Sequence, residues 1–524
     1  MKGRILTSLV AALALASLQA QTLSSAPKLV VGITIDQFRT DYMEAFSALY
    51  GEKGFKRLLK EGRVYTNGGY TFKPVDRSSA VAAIYSGTTP YYNGIIANSW
   101  LDRETLRVMA SVDDKDFMGM YTAENSSPRK LLSSTIADEL KVATQRKALV
   151  YAISPFRDAA IFGAGHAGDG AFWINDDTGK WAGSTFYGSF PTWVMSYNDR
   201  QALDSRISGL DWETLQNRAL YTYFSPEQPR GFKHSFSDYK KYRQFKTSGL
   251  VNEEVNRLVE RCLQSTTLGM DNVPDLLSVT YYAGNYEHKS TTEYPVEIQD
   301  TYVRLDREIG NLIDMVDKRV GLRNALFFIT STGYNDPEKM DLAAYRIPTG
   351  DFYMDRCTAL LNMYLMATYG QGKYVQAYNG LNIYFDHKLI EQKQLSLPEV
   401  LNKSAEFLVQ VSGVKAAYTA HQLALNANTP ERLLLRNAFN IDASGDILLE
   451  LAPGWKHVSE DPLVDSHYTS ASLINFPIIF FGHSVKPEII PVPATVDCIA
   501  PTVTHFVRIR APNACRSTLL GGIR

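Results

Sequence analysis

Short, strongly apolar runs bounded by turn residues recur along the chain and set its overall pattern. Five of them are residues 29–35, 148–153, 276–282, 325–329 and 477–481. Because these runs are apolar at consecutive positions, both faces of each segment are expected to be buried, as in a parallel sheet covered on two sides. Each run therefore predicts a central strand of an α/β sheet.

A long amphipathic helix separates two of these predicted strands. Its polar face carries Asp and Arg, and its apolar face repeats at spacings of three and four. The apolar positions are Ile298, Tyr302, Leu305, Ile309, Leu312 and Val316. Strand, helix and strand in alternation predict a doubly wound, mainly parallel α/β sheet with helices on both faces.

Two stretches interrupt this alternation. Residues about 168–245 are rich in aromatic residues, Gly and Asp with little periodicity, and residues about 340–440 hold short apolar runs and one helical pattern. Both are predicted to be insertions that cap one edge of the sheet. Open α/β sheets bind ligands outside the carboxyl ends of their strands, so caps at that edge would frame a site.

Residues 1–20 have the pattern of a secretory signal peptide. Lys2 and Arg4 precede an apolar stretch over residues 6–18, and small residues allow cleavage after Ala16 or Ala20. The alternative, a membrane anchor, is disfavoured because the stretch is short for a bilayer-spanning helix. The mature chain is then predicted to be residues 21–524, without a transmembrane segment and exported to the periplasm or the envelope.

Composition narrows the class of partner. The 524 residues are 45% hydrophobic and 21% charged, with a formal net charge of −1. This balance is typical of a large globular domain and gives no reason to expect nucleic acid as a partner. Among the four cysteines, Cys498 and Cys515 are close enough in sequence to pair in an oxidising compartment, and free buried thiols explain them equally well.

Several motifs occur in an order that resembles a known superfamily. They are residues 30–39 (VVGITIDQFR), 54–59 (GFKRLL), 84–90 (IYSGTTP), 93–103 (NGIIANSWLDR), 300–306 (DTYVRLD) and 476–482 (FPIIFFG). Together they resemble the alkaline phosphatase superfamily, and most of all its bacterial phosphate-monoesterase branch, which is related to type I phosphodiesterases and nucleotide pyrophosphatases. The resemblance implies that superfamily's α/β fold and a site with two zinc ions, a nucleophilic threonine and phosphate-binding side chains.

The first two site positions of this resemblance differ in how well they are kept. Asp36 stands where the resemblance places a metal-binding aspartate, at the end of the first strand. Counting back from residues 87–90 without a gap puts Arg77 at the threonine position, and a guanidinium cannot serve as a nucleophile. A slip of one residue would bring Ser78 there instead, with Ser79 beside it. We expect Arg77 to pair with Asp36 and to take part of the space of one zinc ion.

Most other positions implied by the resemblance are replaced. Thr332 and Gly333 stand where an aspartate and a histidine would bind one zinc ion. Asn98 matches the asparagine that contacts a substrate oxygen and is kept. Phe156 and Asp158 occupy the positions of a Lys-x-Arg pair that clamps phosphate. A carboxylate facing a phosphate dianion is repulsive, so this change opposes monoester binding.

The other zinc position keeps only fragments of its ligand set. Asn285 takes the position of the aspartate, and Lys289 takes that of the histidine unless one residue is deleted, which would make it His288. His467 matches the last histidine of the superfamily pattern. His288 and His467 could hold one metal ion weakly, because two neutral imidazoles and the Asn285 amide make a poorer site for a divalent ion than a set that includes a carboxylate. The alternative, which is favoured, is that the two histidines are hydrogen-bonded side chains near a cleft.

Two functions stay open on the sequence alone. The first is a pseudoenzyme, an exported protein without a cofactor that binds an unknown protein or small-molecule ligand. The second is a hydrolase of phosphodiesterase or phosphatase type with one zinc ion, which would use Asp36, Ser78, His288 and His467. The replacements at the nucleophile, at one zinc position and at the phosphate clamp favour the first.

Overall fold

The computed structural model describes residues 25–224, 231–335, 346–425, 428–458 and 474–523. The predicted signal peptide and His467 lie outside the described residues. Within the part of the chain that is described, no helix is both long and apolar enough to cross a membrane. All four cysteines in it carry free thiols, so Cys498 and Cys515 are not bridged in this structure.

The strands and helices alternate along most of the chain. The strands are β1 Leu29–Asp36, β2 Arg63–Gly69, β3 Ser99–Leu101, β4 Val108–Ala110, β5 Gly119–Met120, β6 Val150–Ser154, β7 Gly170–Ile174, β8 Trp181–Ser184, β9 Asp211–Trp212, β10 His234–Ser235, β11 Asp275–Tyr282, β12 Ala325–Ser331, β13 Gly350–Tyr353, β14 Val375–Asn379, β15 Asn382–Phe385, β16 Val414–Thr419, β17 Ile447–Leu451, β18 Trp455–Val458, β19 Phe476–Gly482, β20 Glu488–Ile490 and β21 Ala494–Thr495. The α-helices are α1 Thr40–Ala45, α2 Phe55–Glu61, α3 Arg77–Ser86, α4 Pro90–Asn93, α5 Ile136–Ala143, α6 Arg157–Ala164, α7 Thr192–Arg200, α8 Leu203–Ile207, α9 Lys241–Lys246, α10 Val251–Ser265, α11 Pro295–Arg319, α12 Met354–Tyr369, α13 His387–Gln392, α14 Leu397–Leu408, α15 Ala420–Leu425, α16 Pro430–Ala438 and α17 Ile499–Val507.

A central sheet of eleven strands organises the described fold, in the order β20-β2-β19-β12-β1-β11-β6-β7-β8-β5, with β21 also paired to β2. The five predicted strands are all found in it, as β1, β6, β11, β12 and β19. The sheet is parallel from β12 through β1, β11 and β6 to β7, whereas β19 is antiparallel to both of its neighbours. The predicted doubly wound, mainly parallel α/β class is therefore confirmed.

Burial explains why these segments form the centre of the sheet. All eight residues of β1 and all eight of β11 are buried, as expected for strands covered on both faces. The helix α11 packs against one face of the sheet through its predicted apolar stripe, and this stripe is buried along the whole helix. The carboxyl ends of β12, β1, β11 and β6 consequently meet at one edge, which is where open α/β sheets place their ligands.

The two expected caps differ from each other. In the stretch 168–245, β7 and β8 pair into the central sheet and bury Trp173 and Trp181, so these two strands extend the sheet. Residues 350–451 instead build a separate four-stranded sheet, β14-β15-β17-β16, with its own apolar core around Leu361 and Ile447. This smaller unit contacts the central body through an ion pair and hydrogen bonds between Arg103 and Asp446.

Candidate functional site

The site is built at the carboxyl end of β1, where Asp36 is the last residue of the strand and fully buried. One of its carboxylate oxygens accepts a hydrogen bond from the Thr332 hydroxyl at 3.0 Å, and the other accepts from the Arg77 guanidinium at 3.4 Å. Burial raises the pKa of Asp36 by more than Arg77 and the hydroxyls of Tyr334 and Thr332 lower it. The structure thus contains the expected contact between Arg77 and Asp36.

Arg77 is presented by the start of α3. Asp76 caps this helix through a capping box with Ser79, which fixes Arg77 as the first helical residue. The Nε of Arg77 donates to both carboxylate oxygens of Asp158, at 3.0 and 3.1 Å. The guanidinium carbon of Arg77 lies 3.9 Å from the ring centroid of Phe156. One cation therefore bridges two carboxylates while stacking on an aromatic ring.

The charges at this bridge support one another. Burial alone would lower the pKa of Arg77, but Asp158, Tyr334 and Asp36 outweigh burial and raise it well above its usual range. Burial alone would raise the pKa of Asp158, but Arg77 and the Ser78 hydroxyl lower it below its usual range. Arg77 and Asp158 therefore both stay charged at neutral pH.

Ser78, the alternative nucleophile, is fully buried and hydrogen-bonded. Its hydroxyl donates to Asp158 at 2.8 Å and lies 2.9 Å from the Ser111 hydroxyl, while its backbone N–H donates to the side-chain oxygen of Asn98 at 3.0 Å. Asn98 itself is exposed, and its backbone N–H donates to Asp76. The kept asparagine thus supports the start of α3 and still has a solvent-facing side chain.

The two positions after β12 at which the resemblance expects zinc ligands are filled by other contacts. Thr332 is buried, donates to Asp36 and accepts the backbone N–H of Gln37 at 2.9 Å. Gly333 has φ +68°, and a Cβ built there would lie 2.4 Å from the ring of Tyr70. Any side chain at position 333, including the histidine that the resemblance would place there, would require Tyr70 to move.

Asn285 does not present its side chain for metal binding. Its amide nitrogen donates to the carbonyl oxygens of Lys289, Ser290 and Tyr294, and its amide oxygen accepts the backbone N–H of Tyr286. The amide is committed to holding the loop after β11. His288 and Lys289 are both exposed on that loop.

These contacts decide whether the described residues fit the two-zinc site that the resemblance implies. Asp36 is occupied by Arg77 and Thr332, and Asn285 is occupied by backbone groups. Within the described ranges, no three His, Cys, Asp or Glu side chains are grouped as metal ligands. The described donors do not fit two zinc ions, and the position of His467 lies outside them.

Several residues of this site have no signal in the sequence pattern. Lys246, from α9 in the aperiodic stretch, is buried, pairs with Asp176 at 2.6 Å and has its ammonium nitrogen 5.2 Å from the Phe156 centroid. Phe156 therefore contacts two cations, Arg77 and Lys246. Arg157 is the first residue of α6 and pairs with Asp113 at 3.0 Å, so its guanidinium does not belong to the Phe156 cluster.

Comparison with known proteins agrees with this architecture. The family model for type I phosphodiesterase / nucleotide pyrophosphatase matches residues 30–471. The chain belongs to this family. Its relatives in the family include alkaline phosphatase PafA of Elizabethkingia meningoseptica, 28% identical over 508 residues, with 93% of this chain and 92% of the relative covered. Another is alkaline phosphatase PhoV of Synechococcus elongatus, 29% identical over 516 residues, with 93% and 91% covered.

A solved structure supports the same family assignment. The crystal structure of wild-type PafA matches with a TM-score of 0.84 at 26% identity, and covers 95% of this chain and 99% of that chain. The resemblance to the phosphate-monoesterase branch is therefore confirmed. Both named relatives are alkaline phosphatases, whereas this family member carries Arg77, Thr332 and Gly333 in its site.

Proposed function

We propose that this type I phosphodiesterase / nucleotide pyrophosphatase family member is a binding protein that has lost metal-dependent phosphate hydrolysis. The observation that carries the proposal is the bridge from Arg77 to Asp36 and Asp158. A guanidinium held by two carboxylates supplies the positive charge that a metal ion would otherwise bring to Asp36. A divalent ion at Asp36 would first have to displace this cation, at the cost of a buried ion pair.

The phosphate-binding side supports the same proposal. Asp158 is buried, hydrogen-bonded and kept charged by Arg77 and Ser78. A phosphate dianion approaching it would meet a fixed negative charge, which is unfavourable at short range in a partly desolvated site. Arg157, which could have compensated from the next position, is paired with Asp113.

Export forms part of this proposal. The basic and apolar pattern of residues 1–20 supports a signal peptide, and the mature chain would act in the periplasm or at the envelope. Its ligand there would be a small molecule or a protein, and a near-neutral net charge argues against nucleic acid. N-terminal sequencing of the protein from fractionated cells tests this part by showing where the chain is cleaved.

The decisive experiment measures zinc content and turnover on the same preparation. Elemental analysis of the mature protein is combined with hydrolysis of p-nitrophenyl phosphate and bis(p-nitrophenyl) phosphate, with and without added zinc. We expect no stoichiometric zinc and no turnover of either ester. Two bound ions with monoesterase turnover would refute the proposal and place a hydroxyl, such as Ser78, in the role of nucleophile.

A second candidate function is a hydrolase with one zinc ion, and the names of the relatives favour it. Both PafA and PhoV are called alkaline phosphatases, and each covers more than nine tenths of this chain. Asp36, His288 and His467 would bind the ion, and a diester would tolerate the lost clamp better because it carries one charge fewer. One bound ion with diesterase turnover, both abolished by His467→Ala, would establish this candidate in place of the first.

A further inference from the structure

A histidine at the end of α6 lies outside the site around Arg77. His166 follows the helix directly after Gly165, and its side chain is 33% exposed. Its Nδ1 lies 3.0 Å from a carboxylate oxygen of Asp138 in α5, and its Nε2 lies 3.0 Å from the carbonyl oxygen of Leu131. Both ring nitrogens therefore face an oxygen atom within hydrogen-bond distance.

The two oxygens that face this ring accept hydrogen bonds and do not donate them. The Asp138 carboxylate already accepts the backbone N–H groups of Thr135, His166 and Ala167, each at 2.8 Å. Burial alone would raise the pKa of Asp138, but His166 and these N–H groups lower it below its usual range, so it is ionised. A neutral imidazole carries one N–H, and only the imidazolium can donate to both oxygens.

Loss of the ring proton would break one of these two contacts. The remaining proton stays on Nδ1, because a hydrogen bond to an ionised acceptor is stronger than one to a carbonyl. The lone pair of Nε2 then faces the Leu131 carbonyl at 3.0 Å, which is repulsive. Asp138 keeps its backbone donors, so the end of α6 stays in place while the loop over residues 128–134 loses its contact with the ring.

This loop holds other parts of the chain near the candidate site. The Lys130 ammonium donates to the carbonyl oxygens of Ala110, at 2.8 Å, and Asp113, at 2.6 Å. The next residue after Ala110 is Ser111, whose hydroxyl lies 2.9 Å from that of Ser78. The loop therefore lies one segment away from the start of α3.

We propose that His166 is a pH-sensitive latch, whose imidazolium holds the loop over residues 128–134 against the end of α6 and whose deprotonation releases it. Asp138 is the counter-charge of the ring, and the Tyr187 phenol donates to the Ile161 and Gly165 carbonyls beside it. Three further charged pairs on the packed elements are Lys141 with Asp169, Glu139 with Arg510 and Arg129 with Asp116. Because these charges are paired with each other, the ring is the group that responds.

The direction of the response follows from the same contacts. Burial alone would lower the pKa of His166, but Asp138 outweighs burial and raises it above its usual range, and the Leu131 carbonyl adds to this effect. A group with a raised pKa stabilises the fold in full below its unfolded value of about 6.5, and this stabilisation is lost as pH rises through the folded pKa. The latch is therefore closed in neutral and mildly acidic solution and opens on the alkaline side.

The test is amide hydrogen exchange of the full mature chain, followed by mass spectrometry at about pH 6 and about pH 9 and corrected for the intrinsic exchange rate at each pH. We expect protection of the loop over residues 128–134 to fall about fivefold at the higher pH, as for the loss of one hydrogen bond. Peptides from the buried strands β1 and β11 serve as the internal reference for global stability and should not change. A fall in protection of the same size in these strands would overturn a local latch.

Two variants identify the group that titrates. His166→Gln should remove the pH response of the loop, because a glutamine amide can donate to the Leu131 carbonyl at every pH. His505→Gln, at an exposed histidine near the end of α17, is the matched control and should respond as the parent does. A loop in the parent that is equally protected at both pH values, or a His166→Gln variant that keeps the parent's response, overturns the proposal. The parent comparison needs no variant, so the test stands even where His166→Gln does not fold, and it is independent of zinc content and ester hydrolysis.

Discussion

Replacing Arg77 by methionine would remove the guanidinium that lies between the carboxylates of Asp36 and Asp158. Methionine keeps an apolar contact with Phe156, so the main loss is electrostatic. Breaking a buried ion pair by removing one partner costs about 3–5 kcal/mol. The Arg77 side chain is 20% exposed, so water screens part of the interaction, and we expect the free energy of unfolding to fall by about 3 kcal/mol.

The effect of this substitution should depend on pH in a defined direction. Asp158 has a lowered pKa in the folded protein, so its contribution to stability is present above the unfolded value of about 3.8 and is lost as pH falls through the folded pKa. Without Arg77 that contribution disappears. The parent and variant should therefore differ by the full amount down to about pH 4 and converge only as the pH falls below about 3.8.

Urea unfolding followed by tryptophan fluorescence measures both quantities, at about pH 7.5 and about pH 3. Arg57→Met is the matched control, because Arg57 is 22% exposed but pairs with the half-exposed Glu61 on one helix. It should cost about 0.5 kcal/mol. Adding Asp158→Asn to the Arg77 variant should recover part of the loss by removing one unpaired charge. A cost for Arg77→Met no larger than that of the control would refute the electrostatic account of the bridge.

Two further predictions concern the packing and the second sheet. Gly333→Ala should destabilise the protein by about 2–4 kcal/mol in the same urea assay, because the new Cβ would lie 2.4 Å from the Tyr70 ring and the backbone φ is +68°. The control is Gly380→Ala, at a positive φ with open space around it, which should cost only about 1 kcal/mol. Equal costs for the two variants would contradict the clash with Tyr70. A hydrogen bond to Asp446 raises the pKa of His387, so its stabilisation is full below the unfolded value of about 6.5 and is lost as pH rises through the folded pKa. For a half-exposed side chain this pH dependence amounts to less than about 1 kcal/mol. His387→Asn should remove it from urea midpoints measured between about pH 6 and about pH 8. An unchanged pH dependence in the variant would exclude His387 as its source.

The sheet and the Arg77–Asp36 contact were accessible from sequence for different physical reasons. Strands buried on both faces are apolar at consecutive positions, and β1 and β11 show this pattern in their own short segments. These strands can therefore be predicted without knowledge of the rest of the chain. The contact between Arg77 and Asp36 followed from chemistry, because a buried carboxylate without a metal needs a cation. The sequence indicates that Asp158 disfavours phosphate, but nothing in the sequence indicates that Asp158 is the main partner of Arg77.

The rest depends on contacts between segments far apart in the chain. Tyr70 covers Gly333 and donates to the Ser331 carbonyl, a pair separated by 261 positions. Lys246 reaches Phe156 from a stretch whose aromatic residues have no helical or strand period. Trp173 and Trp181 are buried because β7 and β8 pair near one edge of the central sheet. A short segment of mixed small and aromatic residues does not predict such pairing.

The bridge at Asp36 also bears on how the chain reaches its folded state. A guanidinium is synthesised with the polypeptide, so the cation that neutralises the strand end is present in every newly made molecule at a fixed stoichiometry. Under the proposed loss of metal binding, folding of this region would have no step that waits for an ion, and its yield would not vary with the metal supply of the surroundings. In a compartment where zinc is scarce, the proposed protein would still complete the charge balance at this strand end, because Arg77 is part of the polypeptide and pairs with both Asp36 and Asp158.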